Sequence, residues 1–139
     1  MKYLLIIILS SLSFSFYTQD NEGLFSKEDA DNLKRGNAKY ELKDYKGAIE
    51  EYNIVLGIVP SIQGYLNRAD CKAKLEDYLG AIQDYNRAIR QNRKCIKGYV
   101  GRGLAKNSLA DKKGACLDWA KAVSLGNEDA KVLIRTYCK

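Results

Sequence analysis

Hydrophobic residues recur with helical spacing among polar ones over most of the chain, and this pattern occurs three times. Its clearest copy runs from Arg68 to Ile89, and further copies begin 33 residues earlier at Arg35 and 34 residues later at Arg102. A helical pattern with such a period predicts stacked units of two helices each. The expected helices cover residues 27–42, 45–57, 62–75, 78–91, 96–109 and 112–125.

A seventh helix is expected after the third unit. Gly126-Asn127 interrupts the pattern, and residues 128–138 then carry one apolar stripe. The stripe consists of Ala130, Leu133, Ile134 and Tyr137. Each unit of a solenoid buries its open face only against a neighbour, so the array needs a closing element. The predicted fold is therefore all-α: a right-handed helical solenoid of three helix-turn-helix units plus a C-terminal capping helix.

The N-terminal stretch differs from the repeats. A basic start, Met1-Lys2, precedes the uncharged segment from Tyr3 to Phe16. This layout is typical of a secretory signal peptide whose apolar part is too short to span a bilayer comfortably. Cleavage is expected after Ser15 or Thr18, and an uncleaved anchor is the alternative. The predicted organisation is a signal peptide (1–18), a lead-in ending near the expected N-cap Ser26 (19–28), three units (29–61, 62–95, 96–126) and the capping helix (127–139).

Residues at equivalent positions of the three units indicate how the helices pack. Small residues that allow close contact recur in the first helices, and large aromatic residues recur in the second helices. These are Gly36, Ala69 and Gly103, and Tyr52, Tyr85 and Trp119. Acidic residues before each second helix can accept from its free N–H groups. These are Asp44, Asp77 and Asp111.

A column of arginines faces a column of acids across each predicted helix pair. We expect structural ion pairs between them, within a unit or across adjacent units. Within units the pairs are Arg35–Glu51, Arg68–Asp84 and Arg102–Asp118. An anion site made of the three arginines is the functional alternative.

Composition restricts the chemistry. The chain of 139 residues has no His, which disfavours most hydrolases and most zinc sites. No catalytic residue, cofactor or metal ligand is predicted. The formal net charge is +6, but Lys and Arg are scattered among acids, so no nucleic-acid partner is expected.

The four cysteines fall into two groups. Cys71 lies in a column of small residues, and Cys95 lies at the joint before the third unit. Cys116 and Cys138 are expected side by side, because the sixth helix and the capping helix run antiparallel. We predict a disulfide between them if the chain is exported, and free thiols if it stays in the cytosol.

The columns resemble the tetratricopeptide repeat, in which Gly and Ala are followed by an aromatic residue four positions later. They are most similar to the exported bacterial variant of the family, and the similarity covers residues 29–138. The resemblance implies a concave groove, formed by the first helices, that binds a peptide or a partner helix. The implied groove residues are Leu33, Asn37, Tyr40, Glu41, Leu66, Asn67, Asp70, Lys74, Lys97, Val100, Gly101, Leu104 and Asn107.

One subgroup of the family grips a C-terminal carboxylate with a set of Lys, Asn and Arg side chains. Asn37, Asn67 and Lys97 match that set, whereas Leu33 and Gly101 stand where it has Lys and Arg. An incomplete cation set makes a weak clamp.

The predicted function is that of an exported, non-enzymatic adaptor, periplasmic or secreted, that binds another protein through its groove. The alternative is a self-associating accessory subunit of a cell-envelope complex. A redox or enzymatic role of the cysteines is disfavoured because C-x-x-C and His are absent.

Overall fold

The computed structural model describes residues 27–139, which form seven α-helices and, over that range, no strand. The helices are α1 (Lys27–Glu41), α2 (Tyr45–Ile58), α3 (Ile62–Lys74), α4 (Tyr78–Gln91), α5 (Ile96–Ser108), α6 (Lys112–Ser124) and α7 (Ala130–Tyr137). The predicted signal peptide and Ser26 lie outside the described residues. The all-α prediction is confirmed: three helix hairpins stack into a solenoid, and α7 packs against α6.

An aspartate caps the N-terminus of each second helix. Asp77 accepts a hydrogen bond from the backbone N–H of Gly80 at 3.0 Å, and Asp44 and Asp111 cap α2 and α6 in the same way. A Cβ atom at position 80 would lie 2.1 Å from Oδ2 of Asp77. Asp and Gly therefore recur together, because the capping carboxylate occupies the space that a side chain at the glycine position would need.

Each hairpin turn contains a residue in the left-handed region. Lys43, Glu76 and Ala110 have φ angles of 62°, 63° and 64°. This conformation ends the first helix of each unit and reverses the chain. A residue with a Cβ atom costs about 1 kcal/mol or more there.

Large aromatic side chains fill the space next to glycines, as the columns predicted. A Cβ atom at Gly36 would lie 2.6 Å from Cε1 of Tyr52, and one at Gly103 would lie 2.5 Å from Nε1 of Trp119. Tyr52 and Trp119 are both buried. Packing at this density leaves little freedom in how α1 meets α2 or α5 meets α6.

The predicted ion pairs are present within the units. Their shortest nitrogen–oxygen distances are 3.2 Å for Arg35–Glu51, 2.7 Å for Arg68–Asp84 and 2.6 Å for Arg102–Asp118.

Two of the same arginines also connect neighbouring units. Arg68 donates to Oδ1 of Asn53 in the preceding unit at 2.7 Å, and Arg102 donates to Oδ1 of Asn86 at 2.6 Å. Arg68 and Arg102 therefore connect units as well as pairing within them, whereas Arg35 pairs within the first unit. These contacts favour a structural role of the column over an anion site.

The capping helix is capped at its N-terminal end and joined to α6 by a disulfide at its C-terminal end. Oδ1 of Asn127 accepts from the backbone N–H of Ala130 at 2.8 Å. A disulfide joins Cys116 to Cys138, with Cα atoms 5.9 Å apart. Cys71 and Cys95 are buried free thiols.

Candidate functional site

The first helices of the units line three neighbouring hollows. The first hollow has a volume of about 360 Å³ and lies where α1 meets α3. It is lined by Asn37, Tyr40, Glu41, Tyr52, Gln63, Asn67, Asp70 and Lys97.

Two further hollows continue along the same face towards the C-terminus. The second, of about 300 Å³, is lined by Tyr40, Asp70, Ala73, Lys74, Tyr78, Tyr85, Gly101, Leu104, Ala105 and Ser108. The third, of about 490 Å³, is lined by Asp70, Tyr85, Ile96, Lys97, Val100, Gly101, Leu104 and Asn127. Because the hollows share residues, they form one concave surface, which we call the groove.

Most of the predicted groove residues line these hollows. They are Asn37, Tyr40, Glu41, Asn67, Asp70, Lys74, Lys97, Val100, Gly101 and Leu104.

Three predicted groove residues lie elsewhere. Leu66 is a buried core residue, and Leu33 packs against the core formed by Ala48 and Tyr52. Asn107 lines none of the three hollows. Helical phase explains Leu66, because a residue next to the groove position Asn67 points about 100° away from it. Leu33 and Asn107 share the phase of groove residues but lie at the two ends of the stripe.

Gln63, Tyr52 and Tyr85 were not predicted as groove residues, and a sequence signal existed for only one of them. Gln63 lies one turn before Asn67, on the stripe that continues to Asp70 and Lys74, so the helical period alone places it in the groove. Tyr52 and Tyr85 belong to the second helices, and only their hydroxyl ends reach the groove. No periodicity argument distinguishes such a side chain from an ordinary core tyrosine.

An amide network forms the floor of the first hollow. Oδ1 of Asn37 accepts from the hydroxyl of Tyr52 at 2.7 Å and from Nδ2 of Asn67 at 2.9 Å. Burial raises the pKa of Tyr52 to about 12, so its hydroxyl remains a donor at neutral pH. Asn37 is thereby held in a fixed orientation with its own amide group directed away from the tyrosine.

Asp70 lies at the point where the three hollows meet. Its Oδ1 accepts from the hydroxyl of Tyr85 at 2.6 Å, and its Oδ2 lies 3.0 Å from Nζ of Lys97. Burial, followed by the charge of Asp70, raises the pKa of Tyr85. Asp70 therefore has one carboxylate oxygen held by a core tyrosine and one facing the groove.

Gly101 marks the place where a clamp arginine would stand. A Cβ atom there would lie 2.4 Å from Cζ of Tyr85 and 2.7 Å from its hydroxyl oxygen. Tyr85 is buried and hydrogen-bonded to Asp70, so it occupies this space. The sequence shows that the arginine is missing, and the structure shows that a side chain at position 101 would clash with Tyr85.

The described residues contain neither a cluster placed for a metal ion nor a helix that could span a membrane. No group of three acidic or cysteine side chains in residues 27–139 is placed to hold a metal ion. Over the same residues, every helix is too short or too polar to cross a bilayer.

Neither a family model nor a curated protein sequence matches the chain. Solved structures do match. The TPR domain of Arabidopsis OM64 superposes with a TM-score of 0.75 at 29% identity, covering 78% of this chain and 93% of that domain. The first TPR of Spaghetti (RPAP3), bound to the HSP90 peptide SRMEEVD, gives 0.77 at 26% identity, covering 81% and 92%. The second TPR domain of human RPAP3, in complex with the HSP70 peptide SGPTIEEVD, gives 0.73 at 26% identity, covering 78% and 92%.

The chain is thus similar to protein-interaction modules, and its fold is of the tetratricopeptide type. Peptides bound to two of these domains support a role in protein–protein interaction.

Proposed function

We propose that this protein is an exported, non-enzymatic adaptor that binds an extended segment of another protein in its groove. The observation that carries the proposal is the continuity of the groove across all three units, with polar groups such as Asn37, Asn67 and Asp70 held in place by the core. Preordered hydrogen-bonding groups lower the entropy lost on binding. Solved domains of this fold that carry peptides support the same assignment.

Two features support export. The stretch from Met1 to Thr18 has the pattern of a signal peptide. The Cys116–Cys138 disulfide fits an oxidising compartment such as the periplasm or the medium. Replacing Ile6 and Ile7 with Asp is expected to keep the chain in the cytosol with four titratable thiols, whereas the exported chain has two. Equal thiol counts and equal distribution for both chains would contradict export.

The groove assignment is tested by capture of partners in cells that make this protein. A variant with Gln63→Ala and Leu104→Ala changes two exposed groove side chains. Its matched control, Ile54→Ala with Leu117→Ala, changes two exposed side chains of the second helices. We expect the partner, once captured by the wild type and identified, to bind the groove variant at least about tenfold more weakly and the control within about twofold. The reverse order would place the binding surface on the second helices.

Self-association is the second candidate, because the second helices expose large apolar side chains. Ile54, Leu79 and Leu117 are each about half exposed or more. Paired across two copies, such residues could form an interface. Light scattering that reports a monomer at every concentration would contradict this candidate.

A further inference from the structure

The groove is closed to the contact that recognises a terminal carboxylate. Tyr85 fills the space beside Gly101, and its hydroxyl is anchored on Asp70 at 2.6 Å. Lys97, the one matching cation of the set, is paired with Asp70 at 3.0 Å. The terminal carboxylate of a ligand that entered here would face the carboxylate of Asp70, and Lys97 is already paired with that carboxylate.

Asp70 places a carboxylate on the floor of the groove, where all three hollows meet. Burial and the charge of Asp70 raise the pKa values of Tyr40 and Cys71, the latter to about 12. These groups lie in α1 and α3, so the field of Asp70 extends across the interface between two units.

The acceptor on Asp70 is accessible. Its side chain is 24% exposed, and that of Lys97 is 55% exposed. A lysine this exposed is held weakly by its partner. Its ammonium group can therefore move into solvent while a cation on a ligand takes its place at Oδ2 of Asp70.

The surroundings favour such a cation over a free ion. Tyr40 lines two of the hollows that contain Asp70, and an aromatic ring attracts a guanidinium or ammonium group. The neighbouring third hollow is mostly apolar, with Ile96, Val100 and Leu104 in its wall. An extended chain places alternate side chains on one face, so one segment can present a cation and an apolar group together.

We propose that the groove binds an internal, extended segment of its partner in which a Lys or Arg side chain pairs with Asp70 beside an apolar side chain on Leu104. This inference rests on the proposed function and names the chemistry of the segment. Its charge preference opposes that of the whole chain, whose net charge of +6 attracts acidic peptides nonspecifically.

Three labelled peptides test the proposal by fluorescence anisotropy in about 0.15 M salt, where distant charges are screened. The first is an octapeptide of alternating Leu and Arg with both ends blocked. The second has Glu in place of Arg. The third is SRMEEVD with a free terminal carboxylate. We expect the Arg peptide to bind at least about tenfold more tightly than either of the others.

Three variants test whether Asp70 sets the preference. Asp70→Asn keeps an acceptor for Tyr85 and is expected to weaken the Arg peptide about tenfold or more. Glu50→Gln, which removes a negative charge from an exposed position outside the groove, is expected to change it less than about twofold. Lys97→Ala removes the competing cation and is expected to tighten binding of the Arg peptide, a gain that a misfolded variant could not produce.

The outcomes separate this inference from the proposed function. Tighter binding of an acidic peptide, weakened by Leu104→Ala, would overturn the cation preference and leave the groove in use. If Asp70→Asn and Glu50→Gln changed the affinity for the Arg peptide equally, Asp70 would not be the residue that recognises the cation. Failure of all three peptides would contradict the inference, while the capture experiment would still decide the function of the groove.

Discussion

Arg68 holds the carboxylate of Asp84 with two hydrogen bonds, from Nε at 2.8 Å and from Nη2 at 2.7 Å. The Asp84 side chain has no exposed surface, and Lys72 and Arg87 also donate to it at 2.8 and 2.6 Å. Because Arg68 reaches Asn53 as well, this acid anchors the contact between the first two units. The equivalent acid of the first unit, Glu51, instead pairs with Arg35, whose side chain is 54% exposed.

Asp84→Asn is expected to lower the free energy of unfolding by about 3–5 kcal/mol, because it leaves three cations beside a buried neutral group. Glu51→Gln, its counterpart in the first unit, is expected to cost about 1 kcal/mol, since its partners are solvated. Chemical denaturation of both variants measures the difference. Equal losses would show that burial does not set the strength of these pairs.

The same pair predicts a pH dependence. Burial alone would raise the pKa of Asp84, but hydrogen bonds from Arg68 and Lys72 outweigh it and lower the pKa. The stabilising contribution is therefore fully present above the unfolded-state pKa of about 4 and is lost as the pH falls through the lower folded-state value. We expect the difference in unfolding free energy between wild type and Asp84→Asn to shrink below about pH 4. A difference that stays constant down to about pH 2 would refute the linkage.

Removal of the disulfide is expected to loosen the C-terminal end. Cys116→Ser with Cys138→Ser opens a link between residues 22 positions apart, and the loop-entropy relation gives a loss of about 3 kcal/mol. Hydrogen exchange should accelerate first in α7, which packs mainly on α6. Cys95→Ser, which leaves the disulfide intact, is the control. Unchanged stability of the double variant would mean that packing of α7 alone closes the array.

Ala110→Gly is expected to raise the free energy of unfolding by roughly 0.5–1 kcal/mol, since Ala110 has a φ of 64° and glycine adopts that conformation without strain. Ala120→Gly, at an exposed position within α6, is expected to lower it by about 1 kcal/mol. Thermal and chemical denaturation distinguish the two. Similar losses in both variants would show that the turn carries no strain.

The sequence was a good guide wherever a residue type recurs for a physical reason. Asp44, Asp77 and Asp111 cap helices as predicted, and the columns of Arg and acids pair within units. The disulfide partners followed from the antiparallel course of α6 and α7. The helix boundaries agree to within about two residues because caps and turns are local signals.

The groove was harder to predict because it depends on contacts between units. Leu66 turned out to be a core residue, since a small error in helical phase moves a side chain from surface to interior. The clash between position 101 and Tyr85 joins residues of different units. No pattern within one repeat reports such a contact, so position 101 could be judged only from the structure.

Site-specific photo-crosslinking in intact cells tests the central claim most directly. A photoreactive phenylalanine analogue at Leu104 lies in the groove, and one at Leu117 lies on an exposed face of α6. Groove binding predicts that an adduct with a partner forms from position 104 and that position 117 gives none. An adduct from position 117 alone would contradict the account.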